Sequence, residues 1–202
     1  MAAGRAPRTC LALALALVLA GCGGSGSEAH EKAVAAARAS LAATPGNPSE
    51  ALFKARDAIA KQAERSGEED PRLDLIAAEA CLQLDRRSEA LEYATTGLTA
   101  ADLEPDLRAD LFWASGAATM GRYHEMNDEG DWRTANSLLE KATEAGHHQV
   151  DAAMALVGLQ DLGNHRNDER KLKYARLVIA LDKEGTKAQL VRRLLESQGL
   201  KP

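Results

Sequence analysis

Small and apolar positions recur along the chain with a helical period. In "SEALFKARDAIA" the small residues are Ala51, Ala55 and Ala58; in "SEALEYATTGLT" they are Ala90, Ala94 and Gly97; in "RTANSLLEKATE" the same places hold Ala135, Leu139 and Ala142. Steps of four and then three keep each set on one face of a helix. Runs of Val, Ile and Thr, the usual strand signal, are absent. Start and stop signals frame the helices. Asn47-Pro48-Ser49-Glu50 combines a capping residue, a proline at the first helical position and a glutamate three residues after the cap. Asp70-Pro71 and Glu104-Pro105 place proline in the same way, Thr186-Lys187-Ala188-Gln189 reads as a further capping box, and Gly146, Gly163 and Gly199 stand where helices stop. These signals predict helices over 28–43, 48–66, 71–84, 88–100, 105–122, 132–145, 148–162, 168–183 and 187–198. The expected fold is all-α: four helical hairpins and a C-terminal capping helix, stacked as a short α-superhelix.

The hairpins repeat. Pro71 and Pro105 are 34 residues apart. A lone hairpin cannot bury its apolar face, and stacking completes the core. These residues resemble the tetratricopeptide repeat, whose unit expects one small residue in its first helix and two in its second. In the second pair those are Ala78, Ala90 and Gly97; Val157-Gly158 resembles the Leu-Gly pair of a first helix. "GDWRTANSLLEKATEAGH" is also similar to the related Sel1-type repeat. The chain departs from the pattern in lacking several expected Tyr and Phe. It has a longer connection, "YHEMNDEGD", in the third pair, and Arg170 or Lys171 where alanine is expected. The resemblance implies protein-protein binding on the surface formed by the first helices. Counted from Ala78, that surface receives Leu75, Glu79 and Leu82; counted from Pro105 or Gly116, it receives Trp113. Trp113 has a second reading, as a core residue packed between hairpins.

A different pattern opens the chain. Arg5 and Arg8 precede ten consecutive apolar residues, Leu11 to Ala20. A membrane-spanning helix needs about 20, whereas a basic segment followed by a run of this length describes a secretory signal. The signal ends in Leu19-Ala20-Gly21-Cys22, which resembles the lipobox of bacterial lipoproteins. The resemblance implies cleavage before Cys22 and acylation of its thiol, leaving the protein anchored to a membrane through lipid. Gly23-Gly24-Ser25-Gly26-Ser27 reads as a flexible tether. The expected organisation is a signal peptide over 1–21, a lipidated Cys22 with its tether over 22–27, and a repeat domain over 28–202. Gly23, standing where inner-membrane lipoproteins often carry Asp, implies an outer-membrane address facing the periplasm.

Without residues 1–21 the chain has 23 basic and 30 acidic residues, a formal charge of −7. Residues 22–164 carry −12 and the rest +5, an asymmetry able to orient the molecule near anionic headgroups or an acidic partner. An acidic exported chain without a basic, aromatic patch argues against nucleic acid. Cys81, in the apolar stretch "LIAAEACLQL", reads as a small buried hydrophobe. The five histidines show no ligand spacing, and His147-His148 read as a solvated helix start. "NDEGD" lacks the spacing of a calcium loop and reads as a polar loop with Asp131 capping the next helix. Neither a metal nor a cofactor is expected, and no catalytic constellation can be assembled. The expected function is that of a membrane-anchored scaffold or adaptor for other envelope proteins or peptide segments. The alternative is an envelope enzyme or small-ligand receptor with a pocket inside the superhelix.

Overall fold

A computed structural model describes residues 10–43, 45–65, 69–162 and 165–201, with side chains described from Gly26 onward. The expected cleavage site and the Cys22 thiol, expected to be acylated, therefore lie outside the described side chains. All regular elements among the described residues are helices: α1 (Cys10–Ala42), α2 (Pro48–Arg65), α3 (Pro71–Gln83), α4 (Arg87–Leu98), α5 (Pro105–Met126), α6 (Glu129–Ala142), α7 (Gln149–Leu159), α8 (Asp168–Asp182) and α9 (Thr186–Ser197). No helix among them is long and apolar enough to cross a membrane. The backbone of α1 is helical through the 22–27 segment as well as through the predicted first helix.

Local chemistry accounts for most boundaries. The Glu50 amide donates to Asn47 Oδ1 at 3.1 Å while Asn47 Nδ2 donates to Glu50 Oε2 at 3.0 Å, a reciprocal cap. Asp70 accepts from the Arg72 amide at 2.9 Å. Two expected caps are replaced. α5 runs on to Met126 and closes on Asn127 in the left-handed region, so α6 starts at Glu129. Asp128, not Asp131, caps it, accepting from Gly130 at 2.6 Å, while Asp131 pairs with Arg122 across the turn at 3.4 Å. At α9, Thr186 is already helical. Asp182, the last residue of α8, reaches over the turn and accepts from the Ala188 amide at 2.9 Å.

Each helix packs against the next, and the odd-numbered helices also touch in order: α1 on α3, α3 on α5, α5 on α7, α7 on α9. Their mutual direction follows from side-chain pairs. His30 meets Asp70, Glu31 meets Arg72 and Arg38 meets Glu79, so α1 and α3 advance in parallel. Core residues fall into three clusters that overlap along the chain, joining α1–α5, then α3–α5, then α5–α9. The small-residue faces are the contact faces: Ala51, Ala55, Ala90, Ala94, Ala135 and Leu139 are all fully buried. Cys81 lies in the first cluster as a buried free thiol.

The departure from alanine in α8 has a physical solution. Lys171 is fully buried, and its stem passes through the core. Its ammonium emerges against Asp161 Oδ1 at 2.5 Å and the side-chain oxygen of Gln198.

Candidate binding cleft

The row of odd-numbered helices carries a cleft of about 430 Å³, into which Arg38 of α1, Glu79 and Gln83 of α3, Asp110 of α5 and His147-His148 before α7 project. The turn ahead of α7 explains how the histidines reach it. Gly146 adopts φ +84°, a conformation that disfavours side chains. A Cβ there would also stand 2.9 Å from the Asp106 carbonyl and closer still to the Asp110 carboxylate. The Gly146 amide donates to Asp106 Oδ1 at 3.1 Å; His147 and His148 amides donate to Asp110 Oδ1 at 2.7 and 3.1 Å. Two carboxylates of α5 thus cap the start of α7 from another helix, satisfying donors that a helix cannot bond internally.

This places His148 where the sequence reading did not. It is not solvated: its ring stacks on Trp113 with centroids 3.7 Å apart and planes 7° from parallel. Its Nε2 donates to Glu79 Oε1 at 3.1 Å. Its Nδ1 is buried and faces Asp151 Oδ2 at 3.6 Å, longer than a hydrogen bond, so that contact is electrostatic. Burial opposes a charge on the ring, but Asp151, Glu79 and Asp110 outweigh it and hold the pKa up to about 9. His148 is therefore an imidazolium at neutral pH. His148 in turn holds Asp151 below its ordinary value, against the cost of burial and with help from Lys187.

The result is a ladder of five alternating charges across the odd helices. Arg38 meets Glu79 at 2.5 Å, Glu79 meets His148, His148 faces Asp151, and Asp151 meets Lys187 at 2.6 Å. The inner rungs are satisfied by each other. Arg38 remains 44% exposed and keeps donors toward the cleft, with Leu41 and Ala42 as an apolar margin.

Of the residues expected to line the groove, Glu79 lines the cleft and Trp113 stands beside it, stacked on His148. Leu75 does not: it is 1% exposed, packed in the middle core cluster. Leu82 is half-buried against two clusters. The cause is the setting of α3, enclosed by α1, α2, α4 and α5 so that Leu73 to Cys81 are all buried. Trp113 shares both readings, half-buried against core clusters with one ring face covered by His148. Arg38, Asp110 and Asp151 were not singled out from the sequence, while His148 was read as a solvated helix start and Lys187 only as part of a capping box. Their partners are remote in the chain, and remote pairing leaves no local pattern. Among the described residues no group of three or more His, Cys, Asp and Glu is placed to hold a metal ion.

The class that fold and cleft define is an all-α protein of serially packed helices with a charged cleft on one row of them. Comparison with models of known families, with curated proteins and with solved structures finds no match to the chain.

Proposed function

We propose that the chain is a lipid-anchored envelope protein, held by Cys22 at the outer membrane facing the periplasm. Its helices form a short solenoid that serves as an interaction scaffold. The observation that carries this reading is the cleft itself: α1, α3, α5 and the turn that opens α7 bring Arg38, Glu79, Trp113 and His148 together. An exposed guanidinium beside an apolar margin suits a peptide segment of a partner, with burial supplying affinity and charge supplying register. The Leu-Ala-Gly-Cys sequence supports the anchor. A photo-crosslinking residue at Gln83 of the membrane-anchored full chain should yield a discrete protein adduct that Arg38→Glu abolishes. The same probe at the exposed Phe53 of α2 should yield none. Equal adducts from both positions would defeat the scaffold reading. Cys22→Ala should leave the precursor uncleaved and free of labelled fatty acid; a variant processed to mature size would remove the anchor.

The second reading, a receptor for a small ligand, draws on the same cleft volume of about 430 Å³. It is favoured over an enzyme by the protonation of His148 beside Glu79, Asp151 and Asp110, which leaves that ring no lone pair to act as a base.

A further inference from the structure

A second cavity lies apart from the cleft, at the C-terminal end of α4. It measures about 610 Å³, and Glu69, Asp74, Thr96, Thr99 and Asp102 contribute its polar lining. A narrower one of about 140 Å³ between α2, α3 and α4 shares Glu69, Asp74 and Thr96 with it, so Asp74 stands in the wall common to both. Asp74 is 4% exposed. No described protein group makes a hydrogen bond or ion pair with its carboxyl, although every other strongly buried acid of the core has one. No Lys, Arg or His is found among the described residues that line either cavity. The negative end of the α4 dipole opens on the same space. Gly97 keeps the carboxyl's surroundings clear, since a Cβ there would stand 3.1 Å from Asp74 Cβ and 2.9 Å from a Leu111 methyl.

A buried carboxyl without a partner is costly, and native proteins retain few such groups without a use for them. Everything that faces this one is acidic or neutral: Glu69 and Asp70 ahead of α3, Asp102 after α4, Tyr93 and Thr96 on α4, and Gln62 on α2. We propose that the larger cavity binds an organic cation, an ammonium or guanidinium on an aliphatic stem, with Asp74 as its counter-ion. The hydroxyls of Thr96 and Thr99 and the rim carboxylates of Glu69 and Asp102 accept further N–H bonds, while Pro71, Ala100 and Ala101 flank the stem. The volume is that of an ordinary small-ligand site. An organic cation fits better than a metal ion, because the described carboxylates do not converge closely enough to coordinate one. The site is independent of the charged cleft, and its failure would leave the scaffold reading untouched.

The protonation state of Asp74 makes the binding pH-dependent. Burial, reinforced by Glu69 and Asp70, pushes its pKa up to about 7 in this structure. A cation binds the ionised form, so it displaces the proton, and affinity rises with pH through neutrality.

The test titrates the full chain in detergent by calorimetry with two probes. Spermidine represents a free polyamine; the capped tripeptide acetyl-Ala-Arg-Ala-amide represents a side chain of a protein partner. At about pH 8 at least one probe should bind saturably at one site, about tenfold or more weaker in Asp74→Asn and similarly weaker at about pH 5.5. Arg38→Glu, in the cleft, should change nothing. Tighter binding of the tripeptide assigns the cation to a partner protein; tighter binding of spermidine assigns it to a free polyamine. No saturable heat from either probe up to about 10 mM, or equal affinity in Asp74→Asn, overturns the proposal. Equal affinity of the parent protein at the two pH values also overturns it, whether or not the variant folds.

Discussion

His148 and Asp74 both carry strongly displaced titrations, and each ties stability to pH in a way that can be measured. His148 has a folded pKa of about 9 against 6.5 for a free histidine. Its contribution is therefore complete below pH 6.5 and is lost as pH rises through 9. The shift corresponds to about 3 kcal/mol. His148→Gln should lower stability by roughly that amount at about pH 6 and by much less at about pH 10, as read from urea denaturation of both proteins at the two values. Asp74 works in the opposite chemical sense. Its pKa rises from 3.8 unfolded to about 7 folded, so the folded state holds the proton that the unfolded chain releases. Stability thus declines as pH rises from 3.8 to 7. Asp74→Asn removes that loss and should stabilise the protein by about 2–4 kcal/mol at pH 8, with little effect near pH 4. A destabilised Asp74→Asn at pH 8 would mean that the carboxyl is stabilised in the fold by a partner.

At the level of elements, the hairpins close on small residues, and substitution measures how closely. Ala90 on α4 is fully buried against the first core cluster. Ala90→Leu should cost about 1–3 kcal/mol, because the larger side chain must push helices apart. Gly116 on α5 is tighter still. A Cβ there would stand 2.8 Å from Leu139 Cγ and 3.2 Å from the Leu139 amide nitrogen, so the α6 backbone itself blocks it. Gly116→Ala should therefore destabilise the protein by about 1–3 kcal/mol, although alanine is the better helix former by about 1 kcal/mol. A Gly116→Ala variant as stable as the parent in a thermal melt would show that α5 and α6 can separate without loss. Lys171 illustrates the converse: a long side chain tolerated in a small-residue face because Asp161 and Gln198 wait at the end of its stem.

Across the whole molecule, parallel odd helices put the first turns of α3, α5, α7 and α9 on one edge. The chain arrives at that edge from Cys22, eight residues before the His30–Asp70 contact. The pH responses of single groups also add up at this scale. Asp161 is held low chiefly by its bond to Lys171 and Asp151 by the charge of His148; Asp70 and Glu140 are held low despite burial, by Arg72 and His30 and by Tyr174 and Arg170. These carboxylates support the fold above their unfolded pKa of about 4 and lose their effect as pH falls through their folded values. His148 and Asp74 favour the acidic side. The melting temperature should peak at about pH 4–5 and fall steadily toward pH 9.5. A melting temperature that climbs from pH 6 to pH 9.5 would contradict both assignments.

Among the described residues, the sequence by itself determined the all-helical class, most helix limits and the small-residue contact faces, but not the start of α1 or the boundary between α5 and α6. Those properties depend on residues within a turn or two: Asn47 with Glu50, Asp70 with Pro71, alanines three and four apart. Where a cap came from a different place, as Asp182 over α9 or Asp110 over α7, the local signal pointed to the wrong residue or to none. Only the tertiary structure decided the cleft. Arg38 meets Glu79 across 41 positions and Glu79 meets His148 across 69, distances set by how the helices pack rather than by any period in the chain. The same packing enclosed α3, turning Leu75 from an expected groove residue into core and leaving Asp74 buried with no hydrogen-bond or ion-pair partner among the described residues. A helix shows its polar pattern in the sequence, but which part of its surface faces water is settled by the neighbours on every side.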